Sequence, residues 1–166
     1  MKKQRCILWA LASLALAGCV LATAGRAEYS TDESLKGLKS VYVLVERTGP
    51  NEHKIGITDD ILRTDAELKL RTAGMQVVDK TTSDLDAAML YINVAVTDGL
   101  AAASLHVEIG QDVILRRDHD IALPTVTTWA MSYTFSKPSS EAIRNRVRDC
   151  TDAFLNAWLK ANPKPR

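Results

Sequence analysis

Alternation of apolar and polar residues between positions 88 and 135 is the feature that most restricts the fold of this chain. Three segments show it: AMLYINVAV at 88–96, a longer one from about Ser104 to Arg116, and TVTTWAMSYTF at 125–135. Successive side chains of a strand point to opposite faces of a sheet, so each segment gathers its large apolar residues on one face. The pattern predicts three antiparallel strands. The charged stretch RRDHDIALP at 116–124 breaks the alternation and is predicted to be the loop between the last two.

The two faces of this predicted sheet differ in polarity. One face carries only large apolar residues: Leu90, Ile92, Val94, Leu105, Val107, Ile109, Trp129, Met131, Tyr133 and Phe135. The opposite face is mixed, with Tyr91, Asn93, Ala95, Ser104, His106, Glu108, Thr128, Ala130 and Ser132. Such a difference predicts a sheet that helices cover on one side only. The open face is therefore the expected binding surface, with Tyr91, Asn93, His106, Glu108 and Thr128 as its candidate contact residues.

A strand, a helix and a second strand are predicted before the alternating segments. The run VYVLV at 41–45 is β-branched and apolar, as in a buried strand. Thr58 can cap a helix that Gly74 is placed to end, and MQVVD at 75–79 then gives a strand parallel to the first. The intervening RTGPNEHKIG at 47–56 is predicted to be a loop. It lies at the carboxyl end of the first strand, where open α/β sheets often bind ligands, but it lacks the Gly-Lys-Ser/Thr ending of a phosphate loop.

A second helix is predicted near the end of the chain, capped by Ser139 or Ser140 and stopped at Asn162-Pro163. Its apolar residues recur at helical spacing and form one stripe: Ile143, Val147, Cys150, Phe154 and Trp158. We expect Phe154 and Trp158 to bury against Trp129 and Tyr133. The predicted order is β-α-β-β-β-β-α. This is an α/β fold in two layers, a five-stranded mixed sheet with two helices on one face.

The N-terminus has the features of an export signal. Met1-Lys2-Lys3-Gln4-Arg5 is basic, and an uncharged apolar run follows from Cys6 to about Gly25. A transmembrane anchor is the alternative, since roughly 20 apolar residues span a bilayer. The organisation we predict is a signal at 1–27, a flexible linker at 28–39, a single domain at 40–162 and a tail at 163–166.

The signal contains two alternative cleavage sites. Leu16-Ala17-Gly18-Cys19 resembles the bacterial lipobox, in which cleavage leaves the cysteine as a lipidated N-terminus. The rival is Gly25-Arg26-Ala27, small residues flanking one arginine, with cleavage before Glu28. The first predicts a periplasm-facing membrane lipoprotein and the second a soluble periplasmic protein.

Charge and cysteine content argue against a nucleic-acid-binding protein and against a disulfide-stabilised one. Four of the 21 basic residues and none of the 20 acidic ones lie in the signal, so the chain after Ala27 has 17 basic residues and a net charge of −3. A basic surface for nucleic acid is therefore not expected. Cys6 leaves with the signal, Cys19 is removed or lipidated, and Cys150 remains alone. No disulfide inside the mature chain is expected, and the fold must be held by its core.

The order of elements resembles that of the anticodon-binding-like α/β domains of bacterial envelope proteins, such as the N-terminal domain of the Tol system's periplasmic propeller protein. It also resembles a group of short exported bacterial proteins. GITDDILRTDAELKLRTAGMQVV and IRNRVRDCTDAFLNAWLKANP carry the resemblance over about a quarter of the chain. These stretches describe packing and helix caps, not chemistry. The resemblance implies a binding or assembly module and names no partner.

Two hypotheses for function follow. The first is a non-enzymatic envelope protein, without a cofactor, that binds an envelope protein or another copy of itself through its open sheet face or a sheet edge. The second is a small hydrolase or metal-dependent enzyme using His106, Glu108 and the Asp118–Asp120 loop. No HExxH or CxxC motif supports a metal site, and Cys150 lies in the apolar stripe where cysteine packs as a small hydrophobe. The first hypothesis is therefore favoured, with no catalytic residue and no metal ligand assigned.

Overall fold

The computed structural model describes residues 31–79 and 86–163. The predicted signal, Cys19 and both cleavage sites lie outside these residues. Within them, five strands form one mixed sheet in the order β2-β1-β3-β4-β5. The strands are β1 (Ser40–Val45), β2 (Gln76–Val77), β3 (Ala88–Val96), β4 (Ala102–Leu115) and β5 (Asp118–Ser136). The helices are α1 (Pro50–Lys54), α2 (Asp59–Thr72) and α3 (Ser140–Ala161), with 3₁₀ segments at Thr31–Leu35 and Asp98–Leu100.

The predicted fold is confirmed. β1 pairs in parallel with both β2 and β3, whereas β3–β4 and β4–β5 are antiparallel. β3 has the bounds expected from its alternation, because burial on one face alone fixes the register of a strand. Thr58 and Ser139 cap α2 and α3 by accepting from the backbone N–H groups of Ile61 and Ala142. Gly74 ends α2 with φ at +87°, a left-handed conformation that suits glycine.

The core lies between the apolar sheet face and the long helices. The predicted apolar residues of β3 and β4 are all buried, and so is Trp129 of β5. On α3, Phe154 is completely buried and its ring lies edge-on to Trp129, with centroids 5.7 Å apart. Trp158 and Tyr133 are only half-buried. The indole N–H of Trp158 donates to the Leu38 carbonyl, so this residue holds the N-terminal segment instead of filling the centre.

Asp65 joins the two long helices. It is 8% exposed on α2 and accepts hydrogen bonds from Arg144 and Arg148 of α3, at 2.7 Å from Arg144 Nε and 3.1 Å from Arg148. The bonds from Arg144 hold the pKa of the Asp65 carboxyl below its ordinary value. A carboxyl with a lowered folded-state pKa stabilises the fold fully above its unfolded pKa of about 3.9, and this contribution is lost as the pH falls through the lowered value. The sequence pattern alone does not pair Asp65 with either arginine.

Three local structures differ from expectation. Residues 47–56 are not all loop, because Pro50–Lys54 form α1, which begins with the proline that suits a first helical turn. Residues 31–39 of the expected flexible linker belong to the domain, since Leu35 is completely buried and Leu38 nearly so. The expected loop at 116–124 is instead a tight turn at Arg116–Arg117 followed by the start of β5.

The two ends of the domain are tied together. The Asn162 side chain accepts from the backbone N–H of Gly37 and donates to the carbonyl of Leu35, at 2.7 and 2.8 Å. With the Trp158–Leu38 bond, these contacts fix residues 35–38 against the last turn of α3.

A hairpin extends beyond the part of the sheet that carries the core. We call residues 111–126, where β4 turns into β5, the hairpin arm. Every residue from Arg116 to Thr125 is exposed. Register shifts after Ile109, Gln111 and Ile114 interrupt the pairing along the arm.

None of the helices within the described ranges is long and apolar enough to cross a membrane.

Candidate functional site

His106 is at the centre of a hydrogen-bonded chain on the open sheet face. Its Nδ1 lies 2.7 Å from the Ser132 hydroxyl, and its Nε2 lies 3.1 Å from Glu108 Oε2. The hydroxyl of Thr127 donates to the same carboxylate oxygen at 2.8 Å. Because a carboxylate only accepts, Nε2 of a neutral ring carries the proton and Ser132 donates to Nδ1. The network fixes four side chains on this face, of which His106 and Glu108 are half-buried and Thr127 and Ser132 are exposed.

Tyr91 and Asn93 form the neighbouring part of this face, on β3. Tyr91 pairs in register with Glu108, and Asn93 pairs with His106. The Tyr91 hydroxyl donates to Glu46, which follows β1, and this hydrogen bond is the main cause of the raised pKa of Tyr91. Asn93 donates to the same hydroxyl at 3.4 Å. Four of the five predicted face residues therefore lie side by side across two strands.

Thr128, the fifth predicted residue, has different partners. Its hydroxyl lies 2.6 Å from Gln111 Nε2, and the same amide group donates to the Ser34 carbonyl of the first 3₁₀ segment. The prediction assumed unbroken alternation along β5. A register shift between Ile109 and Gly110 inserts an extra residue on β5, so Thr127 contacts Glu108 instead. Nothing in the local sequence marks the position of this bulge.

The order Ser132–His106–Glu108 is that of a nucleophile, a base and an orienting carboxylate. Acyl transfer also needs free N–H donors for the oxyanion. β4 lies between two strands, so its backbone N–H groups are used in the ladders on both sides. β4 therefore offers no such donor, whereas Ser132 lies on β5 at an edge of the sheet. Together the side chains form a fixed polar surface.

The Asp118–Asp120 segment does not join His106, contrary to the enzyme hypothesis. It begins β5 and is not a loop beside the site, and Asp118 pairs with Leu115. Leu115 is nine residues from His106 along β4, about 30 Å at the usual rise per strand residue. Within residues 31–79 and 86–163, no three His, Cys, Asp or Glu side chains come together as metal ligands would.

The segment after β1 is tied to its surroundings by two polar side chains that the sequence analysis did not single out. Glu52 of α1 is 5% exposed and accepts from the backbone N–H of Val96 at the end of β3. The buried hydroxyl of Thr48 donates to Asp59, at 2.8 Å, and lies 2.9 Å from His53 Nε2. The bond from Thr48 is the main cause of the lowered pKa of Asp59. These bonds fasten the segment at 47–57 to β3 and α2, which is a structural role.

Cys150 is completely buried in the core, as predicted from its place in the apolar stripe. Burial raises the pKa of its thiol to about 11, and the charge of Asp149 adds to the effect. Only the thiolate is a good nucleophile. We therefore expect folded protein to react slowly with DTNB at neutral pH and unfolded protein to react at once. Cys150→Ser serves as the blank, and rapid labelling of the folded protein would contradict an inert core cysteine.

Comparisons with known proteins add little. No family model matches the chain, and no curated protein matches it. Among solved structures, a minor lipoprotein from Acinetobacter baumannii is 14% identical over 73% of this chain and 90% of its own, with a TM-score of 0.33. Rare lipoprotein B from Shewanella oneidensis is 13% identical over 72% of this chain and 94% of its own, with a TM-score of 0.28. Scores below 0.5 do not establish a shared fold, and neither neighbour decides the function. The resemblance to anticodon-binding-like domains is not shown.

Proposed function

We propose that this chain is a non-enzymatic cell-envelope protein that acts as a binding or assembly module through its open sheet face or the edge of its sheet. The observation that supports this most directly is the fixed row of polar side chains on a sheet face that no described helix covers. Tyr91, Asn93, His106 and Glu108 are held by one another and by Ser132 and Glu46, so little side-chain entropy remains to be lost on binding.

The edge of the sheet is the second available surface. β5 forms one edge of the described sheet, opposite the two-residue β2, and is nineteen residues long. Unpaired edge strands can add a strand from another chain. Near Thr128 the edge is occupied, since the Ser34 hydroxyl donates to its carbonyl at 3.2 Å. The open face and the rest of this edge are the surfaces a partner would use.

A hydrolase is the second candidate, because Ser132, His106 and Glu108 lie within hydrogen-bond distance in the right order. It is the weaker proposal. The Asp118–Asp120 segment, which the hydrolase hypothesis also uses, lies too far from His106 to take part.

The binding surface is tested by capture of partners from intact envelopes. Tyr91→Ala combined with His106→Ala removes two protruding groups of the open face. We expect captured partners to fall at least tenfold with the double variant. Leu68→Ala is the matched control, since Leu68 is 65% exposed on α2 and away from this face. Unchanged capture by the double variant would exclude the open face as the binding surface.

The proposed location is the periplasm-facing side of a membrane, with the lipid anchor on Cys19. We expect the wild-type protein to fractionate with membranes and Cys19→Ala to appear in the soluble periplasmic fraction. A soluble wild-type protein with Glu28 at its N-terminus would instead assign the cleavage after Ala27 and remove the lipid anchor.

A further inference from the structure

Lysine and arginine are absent from all five described strands of the sheet. In the described residues they lie on the helices and in the connections. Every ion pair recorded there for a lysine or arginine joins residues of the helices or of the first 3₁₀ segment, as Asp65 with Arg144 and Asp152 with Lys69 do. Acidic residues of the helical layer are therefore neutralised within that layer, and those of the sheet are not.

Three carboxylates on the open face have no lysine or arginine partner. Glu46 accepts from the Tyr91 hydroxyl, and Glu108 accepts from the imidazole and the threonine hydroxyl beside it. Asp112 accepts from the backbone N–H of Thr125 at 2.9 Å. No ion pair recorded for the described residues joins any of the three carboxylates to a lysine or arginine. Hydrogen bonds therefore fix these groups in place and leave their negative charge uncompensated.

Two half-buried tyrosines lie among these carboxylates, and strand register places both on the open face. Tyr91 pairs with Glu108, and the pKa of Tyr91 is raised mainly by its hydrogen bond to Glu46, with the charge of Glu108 adding to the effect. Burial raises the pKa of Tyr42, and the charge of Asp112 adds to it. Surroundings that oppose a further negative charge favour a positive one.

Charge decides among the possible partners of this face. An anionic membrane surface and a second copy that presents the same face would both bring like charges together. No three side chains of residues 31–79 and 86–163 are placed to hold a metal ion. A lysine or arginine side chain carries the complementary charge, and its apolar stem can lie along a tyrosine ring.

We propose that the open face binds a basic segment of another envelope protein, with one lysine or arginine of that segment on the ring of Tyr91, between Glu46 and Glu108. A second basic residue lies near Tyr42 and Asp112, about 7 Å further along the strands. The inference rests on the proposed binding function and names the chemistry of the partner.

Removal of the three charges tests the proposal with a fluorescein-labelled hexalysine peptide as the probe. The variant carries E46Q, E108Q and D112N, whose amide oxygens can still accept the hydrogen bonds that hold these side chains. We expect hexalysine to bind it roughly tenfold more weakly than it binds the wild type, because three exposed charge contacts are lost. A hexaglutamate peptide should bind neither protein. Equal binding of hexalysine by the variant and the wild type would overturn the proposal.

A matched control separates the open face from the net charge of the protein. The control carries D60N, E67Q and D149N, which remove three negative charges from α2 and α3. We expect it to bind hexalysine within about twofold of the wild type. An equal loss in both triple variants would mean that hexalysine responds to net charge alone, and would overturn the assignment to the open face.

Photo-cross-linking in cells separates this inference from the proposed function. Ala130 is exposed and pairs with Glu108, so a benzophenone side chain there should join to a peptide of another protein that contains lysine or arginine. Leu68 on α2 is the control position and should give no such product. A product with a peptide lacking basic residues, or with a second copy of the chain, would overturn the basic partner and leave the binding function standing.

Two further outcomes count against the inference. An adduct with lipid at Ala130 would assign the open face to the membrane and overturn a protein partner. The absence of any product at Ala130 would also overturn the inference. If the double variant at Tyr91 and His106 then captures as much as the wild type does, the open face has no binding role and the proposed use of this face falls as well.

Discussion

Phe154→Ala is expected to lower the free energy of unfolding by about 3–5 kcal/mol, the usual cost of removing a large aromatic residue from a core. The Phe154 side chain is completely buried between α3 and the sheet, where its ring meets that of Trp129. Deleting it removes apolar contact and leaves a cavity that two rigid layers cannot close. Urea unfolding followed by Trp fluorescence measures the loss.

Leu159→Ala on the same helix is the matched control, because Leu159 is 40% exposed and should cost less than about 1 kcal/mol. If Phe154→Ala cost as little as this control, α3 would not be the element that closes the apolar sheet face. Trp158→Ala should fall between the two, since Trp158 is half-buried and holds Leu38 by one hydrogen bond.

Gly110→Ala is expected to destabilise the protein by about 1–3 kcal/mol, the range for overpacking a filled site. The added Cβ would lie 2.8 Å from the Thr125 methyl and 3.1 Å from the end of Met89. Met89 has a flexible side chain and can move, but Thr125 is held by its backbone bond to Asp112. We therefore expect the arm to shift at its base.

A double-mutant cycle identifies the cause of this loss. Thr125→Ser removes the methyl group that meets residue 110 and keeps the backbone N–H that Asp112 accepts from. Combined with Gly110→Ala, it should recover at least half of the lost stability, as residues in contact are expected to couple. Additive effects in the cycle would show that the Thr125 methyl is not what limits this position.

The sequence predicted the fold because its two periodicities are long and uninterrupted. Alternation over β3 and helical spacing from Ile143 to Phe154 each align many buried residues, so one misplaced residue changes little. Capping by Thr58 could be predicted because an acidic first turn follows it, whereas the sequence left Ser139 and Ser140 as alternatives and the structure assigns the cap to Ser139.

The candidate site could be predicted only in part, because it depends on a bulge. His106 and Glu108 are two residues apart on an interior strand, and simple alternation places them together. One inserted residue opposite Ile109–Gly110 puts Thr127, and not Thr128, in contact with Glu108. The neighbouring β-branched residues of β5 fit either register, so the sequence does not show where this residue is inserted. Asp65 lies 79 residues from Arg144 and 83 from Arg148, and spacing along one element does not reveal such pairs.

Hydrogen bonds between residues 35–38 and the last turn of α3 hold the two ends of the domain together. The first and the last described segments of the chain lie at the same end of the domain. The domain is therefore suited to circular permutation. A short linker would join the two ends, and the new termini would lie at the Asp98–Leu100 turn, where no strand or long helix is cut. A tether on the N-terminal side would therefore hold the domain at the end where residues 35–38 meet α3.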